Sequence, residues 1–211
     1  MKQEYGPTLG ALLAPRWHAA SPLTRRTLTV AGVALLVAVV AGVLTLLNAS
    51  YSHGGRVPFS FGYRGLHRVA PDPGGYVKVE RRHADGTLRD SFAVLPLRLP
   101  PYSGGLAGEL PLYATGYIRA LSGRYAGFEL RGEGKTKVNN MPAYHVFYRA
   151  VVEGRRVYGR DVLIVPERPG ARDGVDIVIL TPAPRASKLT SPMEVANKGI
   201  LATPLKSFSL G

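Results

Sequence analysis

The feature that most constrains this chain is a long uncharged stretch near its N-terminus. Between Thr27 and Gly55 the sequence contains no Asp, Glu, Lys or Arg, and the 20 residues from Leu28 to Leu47 are mostly Val, Leu and Ala. A helix rises about 1.5 Å per residue, so this segment covers about 30 Å, the thickness of the hydrocarbon core of a bilayer. We therefore predict a transmembrane helix over residues 27–48.

The sequence around this segment indicates an uncleaved anchor. A secretory signal has an apolar region of about 7 to 15 residues followed by a small-x-small cleavage site. Here the apolar run is longer, and the best site, after Ala49, places Leu47 at the minus-three position. Arg25 and Arg26 directly precede the segment, which favours an N-terminus in the cytoplasm. We expect a single-pass signal anchor in the plasma membrane, with the C-terminal part outside.

This prediction divides the chain into four parts. Residues 1–26 form a cytoplasmic tail, residues 27–48 the transmembrane helix, residues 49–56 a linker, and residues 57–211 an extracytoplasmic domain of about 155 residues. That length suits one domain. The sequence contains no Cys, which excludes disulfides, thiolate metal sites and cysteine nucleophiles.

The hydrophobic pattern after residue 57 predicts an α+β domain. Asp85-Gly86 between two extended segments is a strong signal for a tight turn. Apolar residues at helical spacing predict an amphipathic helix, and Ser191, Pro192 and Glu194 form the pattern of a capping box. We expect an antiparallel sheet with packed helices. The predicted strands are 57–63, 75–82, 87–97, 143–153, 156–166, 175–181 and 205–210, and the predicted helices are 112–125 and 191–202.

Four short phrases of the outer domain carry a family resemblance. They are Phe-Ser-Phe-Gly-Tyr at 59–63, Asn-Met-Pro-Ala-Tyr at 140–144, Val-Tyr-Gly-Arg-Asp-Val at 157–162, and Ser-Phe at 207–208. With the order of the elements, they resemble the PsbP-like family, which includes the photosystem protein PsbP and the LpqN-type cell-envelope proteins of mycobacteria. The resemblance implies a PsbP-like domain on a single-span membrane protein of actinobacterial type. It implies a noncatalytic accessory or binding role and carries over no functional residue.

The charge of the chain suggests an anionic partner. Its formal net charge is +13, from 27 Lys and Arg against 14 Asp and Glu. Near a membrane, basic residues attract anionic headgroups by about 1 kcal/mol each. A domain outside the membrane rarely meets nucleic acid, so we expect a protein or an anionic envelope partner and no nucleic acid. The candidate basic patch comprises Arg149, Arg155, Arg156, Arg160, Arg168 and Arg172.

Aromatic residues suggest a cleft between the predicted helix 112–125 and the sheet. The predicted strand 143–153 has large apolar side chains on both faces. It is therefore either buried on both sides or lines a cleft that would hold a lipid or another hydrophobic ligand. Core packing explains the same pattern. The candidate cleft residues are Tyr113, Tyr117, Leu121, Tyr144 and Tyr148.

The sequence contains no GxSxG, HExxH or P-loop motif. We therefore expect no cofactor, metal or catalytic residue, and favour a membrane-anchored, noncatalytic envelope module that binds a protein or an anionic partner. Two alternatives remain open. A carrier for a lipid or small hydrophobic ligand requires a sizeable apolar cavity under the predicted helix. An envelope enzyme requires a cleft with two polar residues whose pKa values shift each other, around His145 or Asp161.

Overall fold

The structure, a computed structural model, describes residues 21–101, 106–168, 171–183 and 189–211. Of the predicted cytoplasmic tail, residues 1–20 lie outside the described residues. The chain divides into two compact units, Met1–Leu47 and Asn48–Gly211.

In the first unit, helix α1 spans the 26 residues Pro22–Leu47. Six of its large apolar side chains, from Val30 to Val39, are each more than half exposed. Within the residues whose side chains the structure describes, no helix combines the length and the apolar character that a membrane crossing needs.

The second unit consists of ten strands and three short or medium helices in its described part. The strands are β1 (Asn48–His53), β2 (Phe59–Arg64), β3 (His67–Val69), β4 (Val77–Arg82), β5 (Leu88–Arg98), β6 (Ala126–Val138), β7 (Met141–Val152), β8 (Arg155–Ile164), β9 (Asp173–Pro182) and β10 (Ser209–Leu210). The helices are α2 (Leu106–Arg124), the single 3-10 turn η1 (Pro192–Glu194) and α3 (Ala202–Ser207).

The strands form two antiparallel sheets. The large sheet has the order β3-β4-β5-β9-β8-β7-β6, and the small sheet has the order β1-β2-β10. One face of the large sheet packs against the small sheet, η1 and α3, and the other packs against α2. In β9, Val175, Ile177 and Ile179 are fully buried on the first face, and Val178 is buried on the second. The structure thus confirms the α+β class and its antiparallel sheet with packed helices.

Two of the phrases that carry the family resemblance meet in the core. Phe59 and Phe61 of β2 stack on Phe208, which directly precedes β10, with ring centroids 5.5 and 6.3 Å apart. Phe61 also lies 5.0 Å from Phe92 of the large sheet. Aromatic pairs at these separations add attraction beyond the area they bury. The two ends of the second unit are therefore joined through aromatic packing.

The predicted linker contributes a strand. Asn48–His53 forms β1 and pairs with β2 along its whole length, from Asn48 opposite Arg64 to His53 opposite Phe59. The ring of Tyr51 packs 5.8 Å from Phe59 and 5.7 Å from Phe61. These six residues contain only one large apolar side chain, so their sequence pattern does not predict a strand. They form a strand because they pair with β2.

Helix α2 begins earlier than predicted, at Leu106, and contains Pro111. Proline usually ends a helix because it lacks an N–H and clashes with the preceding turn. The predicted helix therefore begins after Pro111, at Leu112. Burial of Leu110 and Ala114, which are 3% and 0% exposed, holds the first turns of the helix on the sheet. Tertiary packing here outweighs the local preference.

The C-terminal segment also differs from the prediction of a helix and a strand. Ser191 caps η1 as expected, because its side chain accepts a hydrogen bond from Met193 N at 3.3 Å. The carboxylate of Glu194 accepts from Thr190 N at 2.8 Å instead of closing a capping box on Ser191. Ala196 then has φ of +60°, which ends the turn. The predicted strand 205–210 is mostly α3, and only Ser209–Leu210 pair with β2.

Gly159 of β8 gives the first testable prediction. A Cβ at this position would lie 2.2 Å from Cε2 and Cζ of Tyr148, so Gly159→Ala displaces a fully buried ring. We expect a loss of about 1 to 3 kcal/mol of unfolding free energy, measured by denaturant unfolding of the full chain in uncharged micelles. Gly123→Ala on α2 is the control, since a Cβ there meets no atom within 4 Å; it should stabilise slightly. Equal stability of Gly159→Ala and wild type would contradict this packing.

Candidate functional site

The α2-facing side of the large sheet holds a buried polar cluster. The hydroxyl of Tyr117 lies 2.6 Å from Oδ2 of Asp161 on β8 and 2.6 Å from Oδ2 of Asp176 on β9. Tyr148 on β7 donates its hydroxyl to Oδ1 of Asp161 at 2.9 Å. Both carboxyl groups are buried, at 0% and 4% exposure. The cluster joins α2 to three neighbouring strands.

The hydrogen bonds of this cluster require one more proton than two ionised carboxylates would provide. A tyrosine hydroxyl carries one hydrogen and therefore donates one hydrogen bond. Tyr117 Oη nevertheless lies 2.6 Å from an oxygen of both Asp161 and Asp176. The second contact is a hydrogen bond only if that carboxyl group is protonated and donates to Tyr117. Two close carboxylates also disfavour double ionisation, so we infer that the pair shares one proton.

Burial and neighbouring charges indicate where this proton resides. Burial raises the pKa of Asp161 to about 6, although the hydrogen bonds from Tyr117 and Tyr148 favour its charged form. Burial and the charge of Asp161 raise the pKa of Asp176 well above its ordinary value. Within the described residues, Oδ1 of Asp176 has no hydrogen-bond partner. Asp176 is therefore the protonated member, and Asp161, which accepts two hydrogen bonds, is the ionised one.

This pair meets part of what an enzyme requires, namely two polar residues that shift each other's pKa. A general acid or base must also reach the proton that it transfers. Both oxygens of Asp161 are engaged by tyrosines, and Oδ1 of Asp176 is buried. In this arrangement the two carboxyl groups bind side chains of the fold itself and fasten α2 to the sheet.

An open cleft lies beside α2. The helix packs on β6 and β7 and leaves the same side of β5 and β9 partly uncovered. The resulting cleft has a volume of about 530 Å³. Its walls are the apolar side chains of β5 and one side of the helix, and the buried cluster touches its floor. The main lining residues are Leu95, Leu97, Leu112, Tyr113, Tyr117 and Asp176.

One row of helix residues faces this cleft, and we call it the cleft row. Leu112, Gly116, Ala120 and Arg124 are spaced four residues apart, which places them on one helix face, and all four line the cleft. All four are exposed. A Cβ on Gly116 would meet no heavy atom within 4 Å. The row is about 18 Å long. Its apolar end is Leu112, which is 64% exposed, and its cationic end is Arg124.

Arg124 stands where this cleft meets a second one. The second cleft, of about 440 Å³, shares Arg124 and Leu95 with the first and has Lys78 and Arg82 on its rim. Lys78 and Arg82 are paired with carboxylates of the rim, whereas Arg124 forms no salt bridge with any described residue. Its guanidinium donates to the hydroxyl of Tyr125, and its charge favours the ionised form of Asp161. Because Arg124 is exposed, it can also attract an anionic group in either cleft.

The structure separates the five predicted cleft residues. Leu121 and Tyr148 are 1% and 0% exposed and belong to the filled core beneath α2. Tyr117 joins that core to the cleft through the polar cluster. Tyr113 stacks on Tyr117 with ring centroids 6.1 Å apart and lines the cleft. Tyr144 lies on β7 and donates its hydroxyl to Glu133 of β6 at 3.1 Å.

Three of the six predicted arginines lie at the two ends of the large sheet. Arg155 lies at the β7–β8 turn and pairs with Asp85 at 3.3 Å. Arg168 follows β8, and Arg172 precedes β9 and pairs with Glu109 of α2. Because β8 comprises 10 residues, the two ends are separated by about 30 Å.

The other three arginines share the sheet face opposite α2. In the β7–β8 register, Arg149 lies opposite Tyr158 and Arg160 opposite Phe147. The two guanidinium groups rest over these rings, with distances of 5.5 Å to Tyr158 and 5.0 Å to Phe147. Arg160 is only 6% exposed, whereas Arg156, in the adjoining row, is exposed.

No sequence motif identified the Asp161–Asp176 pair as a site. A signal was present, because each Asp interrupts an apolar run: Arg-Asp-Val-Leu-Ile-Val at 160–165 and Val-Asp-Ile-Val-Ile-Leu at 175–180. An acid inside a strand buried on both faces needs a partner. The identity of that partner depends on where α2 crosses the sheet, which a strand pattern does not contain.

Comparison with solved structures identifies the fold. LpqN of Mycobacterium tuberculosis, a protein involved in cell envelope biogenesis, is similar with a TM-score of 0.51 at 11% sequence identity, over 77% of this chain and 91% of LpqN. This chain therefore shares the fold of LpqN. CyanoP, the cyanobacterial PsbP of Synechocystis, aligns with a TM-score of 0.48 at 17% identity, over 78% of this chain and 92% of CyanoP. No family model and no curated protein matches the sequence.

The shared proton gives a pH prediction. Asp has an unfolded-state pKa of about 3.9, and both folded-state pKa values are raised. The native protein therefore keeps protons that the unfolded chain releases. Stability should fall as pH rises from about 4 through 6 and beyond, by up to about 1.4 kcal/mol per pH unit for each proton. Asp176→Asn removes one of the two titrating carboxyl groups. The stability of this variant should therefore fall less steeply with rising pH, and the variant should be more stable than wild type above pH 6.

The measurement is the unfolding free energy of the full chain at several pH values. Asp72→Asn, which removes an exposed carboxylate of the same type outside the cluster, is the matched control. Parallel pH profiles for wild type and Asp176→Asn would show that Asp176 is ionised in the folded protein, against our assignment.

Proposed function

We propose that this chain is a membrane-anchored, noncatalytic module of the cell envelope that binds a protein or anionic partner in the cleft beside α2. The observation that carries the proposal is the exposed cleft row. It combines an apolar end at Leu112, open space over Gly116 and the exposed cation Arg124.

The chemistry of the cleft row favours a partner with an apolar part and an anionic part. Large exposed apolar side chains beside a concave surface are typical of binding sites. Gly116 would lower the stability of a helix interior by about 1 kcal/mol relative to Ala. Its presence where a Cβ would meet nothing is consistent with keeping the surface open to a partner. Arg124 then attracts an anionic group at the other end.

The noncatalytic part of the proposal is supported by the state of the two buried carboxyl groups. Asp161 and Asp176 are the described acids with the largest upward changes of pKa. Their oxygens are bound by Tyr117 and Tyr148 or buried. The envelope location is supported by the fold, which is shared with LpqN, a protein of cell envelope biogenesis.

A second candidate function is the carriage of a lipid or small hydrophobic ligand. It is favoured by the volume of about 530 Å³, which lies in the range of small-molecule sites. The position of this volume differs from the expectation, because the core beneath α2 is filled by Leu121 and Tyr148 and the open space lies at the side of the helix.

Gly116→Leu tests both candidates at the same site. The new side chain fills the cleft and removes a helix glycine, so we expect retained stability and at least a tenfold loss of binding. Gly123→Leu is the matched control, because it is also a helix glycine with nothing within 4 Å of its Cβ and it does not line the cleft. Native mass spectrometry of the chain isolated from its own envelope measures the bound species.

A protein recovered with wild type and Gly123→Leu but lost with Gly116→Leu supports the leading proposal. A small molecule with the same behaviour supports the carrier. Equal recovery with both variants would reject the cleft as the binding site.

The membrane anchor is the second part of the proposal. It is supported by the uncharged segment from Leu28 to Leu47, by the helical conformation of Pro22–Leu47 and by the exposed apolar side chains from Val30 to Val39. Apolar residues exposed on several sides of one helix need an apolar environment. The chain is then single-pass, with Asn48–Gly211 outside the plasma membrane.

The anchor is tested by a double substitution in the segment. Val33→Asp with Val37→Asp places two charges in the middle of the proposed span, each unfavourable by about 3 kcal/mol in a bilayer. We expect the variant to leave the membrane pellet during an alkaline carbonate wash, while Val33→Leu with Val37→Leu stays in the pellet. Retention of the Asp variant in the pellet would refute a spanning helix.

A further inference from the structure

The sheet face opposite α2 contains a row of arginines that the cleft does not involve. Residues that oppose each other in an antiparallel pair share a face. Arg156, Arg149 and Arg160 therefore occupy three successive rows of the β7–β8 ladder, at intervals of about 7 Å. We call these three residues the arginine row.

The arginine row has no carboxylate partner within the described part of the chain. None of its members forms a salt bridge with a described residue. Arg160 is nevertheless buried, with an exposure of only 6%. A buried cation normally requires a compensating anion. Burial lowers the pKa of Arg160 to about 10, so the residue remains charged at neutral pH.

Asp161, the buried acid next to Arg160 in the sequence, cannot pair with Arg160 because of the geometry of the strand. Asp161 follows Arg160 directly on β8, and successive side chains of a strand point to opposite faces. Asp161 is therefore bound to tyrosines on the α2 side while Arg160 lies on the other side. Glu129, opposite Arg149 on β6, pairs with Arg131 instead, and Glu194 of η1 pairs with Lys198.

Arg160 is held through Nη1, and its Nε–Nη2 edge makes no hydrogen bond with the described residues. Its Nη1 donates to the carbonyl of Val195 at 3.1 Å and to Oδ1 of Asn197 at 2.9 Å. Its guanidinium also lies over Phe147. Its Nε is buried without a partner among the described residues, and Nη2 makes no hydrogen bond with them. The Nε–Nη2 edge is the one that binds an oxyanion through two parallel hydrogen bonds.

Other unpartnered nitrogens lie on the same face. Nε of Arg149 and Nδ1 of His145 are buried and have no partner among the described residues. The His145 ring lies 4.5 Å from Phe147, beside the ring that supports Arg160. Buried polar atoms without a partner are uncommon in native proteins, and here three of them share one sheet face.

We propose that Arg149 and Arg160, with Arg156 in the adjoining row, bind a tetrahedral oxyanion of the phosphate type. A carboxylate has two oxygens, which a single guanidinium edge already engages. A phosphate group has more acceptor oxygens and can take hydrogen bonds from several donors at once. Arg156 and the half-buried Arg149 supply the charge at the exposed end of the row, and Arg160 supplies the prepared edge at its buried end.

The first experiment titrates the full chain in uncharged micelles with inorganic phosphate, at constant ionic strength maintained with sodium chloride. Arg149→Gln and Arg160→Lys should weaken phosphate binding at least about tenfold, because each removes hydrogen bonds to a charged group. Arg155→Gln is the matched control. It removes the same charge one residue from Arg156, at a position that faces the α2 side, and should bind as wild type does.

His145 provides a readout inside the site. Burial and the charge of Arg160 lower the pKa of His145 to about 4. A bound oxyanion offsets the charge of Arg160, so phosphate should raise this pKa. Imidazole NMR signals, assigned with His145→Gln, measure the change. The effect should be absent in Arg149→Gln and should persist in Arg155→Gln, which separates binding from altered folding.

The source of the oxyanion is distinguished by comparing probes. Tighter binding of sn-glycerol 3-phosphate than of inorganic phosphate would indicate a phosphate ester such as a headgroup, and the reverse would indicate the free ion; both support the site. Acetate should bind more weakly than either. Equal effects of phosphate and chloride, or undiminished phosphate binding by Arg149→Gln and Arg160→Lys together, would overturn the proposal.

Discussion

The middle strands of the large sheet are buried on both faces, and the other layers of the second unit are arranged to cover them. β8 and β9 are covered by α2 on one side and by the small sheet, η1 and α3 on the other. Neither covering layer is sufficient alone, since the apolar side chains of β9 point alternately to both. The covering layers come from distant parts of the second unit, and the aromatic contact of Phe61 with Phe208 joins the two ends of that unit.

Double burial also explains why the charged groups of β8 behave as they do. Arg160 and Asp161 are neighbours in sequence and both are buried, yet the sheet separates their side chains. Each must therefore be stabilised within its own layer. On the α2 side, Tyr117 and Tyr148 bind Asp161, and the protonated Asp176 donates to Tyr117. On the other side, Arg160 has carbonyl and amide partners from Val195 and Asn197 and no carboxylate partner among the described residues. The same geometry thus gives a closed cluster on one face and, within the described part of the chain, a cation without an acid on the other.

The cleft follows from how much of the sheet α2 covers. The helix lies over β6 and β7, and its row of Leu112, Gly116, Ala120 and Arg124 faces the uncovered part next to β5. The buried side of the helix is fixed by the tyrosine cluster, so the cleft row is held in a defined orientation. A partner bound there would lie close to Asp176, which makes its protonation state relevant to binding as well as to stability.

Local sequence patterns were enough to predict the α+β class, the Asp85-Gly86 turn, the central strands and the uncharged N-terminal segment, because alternation, turn residues and long apolar runs are local properties. It also pointed to arginines of β7 and β8 and to tyrosines of α2 as candidates. Tertiary structure alone decided that Asn48–His53 is a strand, that α2 continues through Pro111, and which candidates meet. These outcomes depend on contacts between residues far apart in the chain: the ring of Tyr51 needs Phe59 and Phe61, and Tyr117 reaches both aspartates only because α2 crosses the sheet above them.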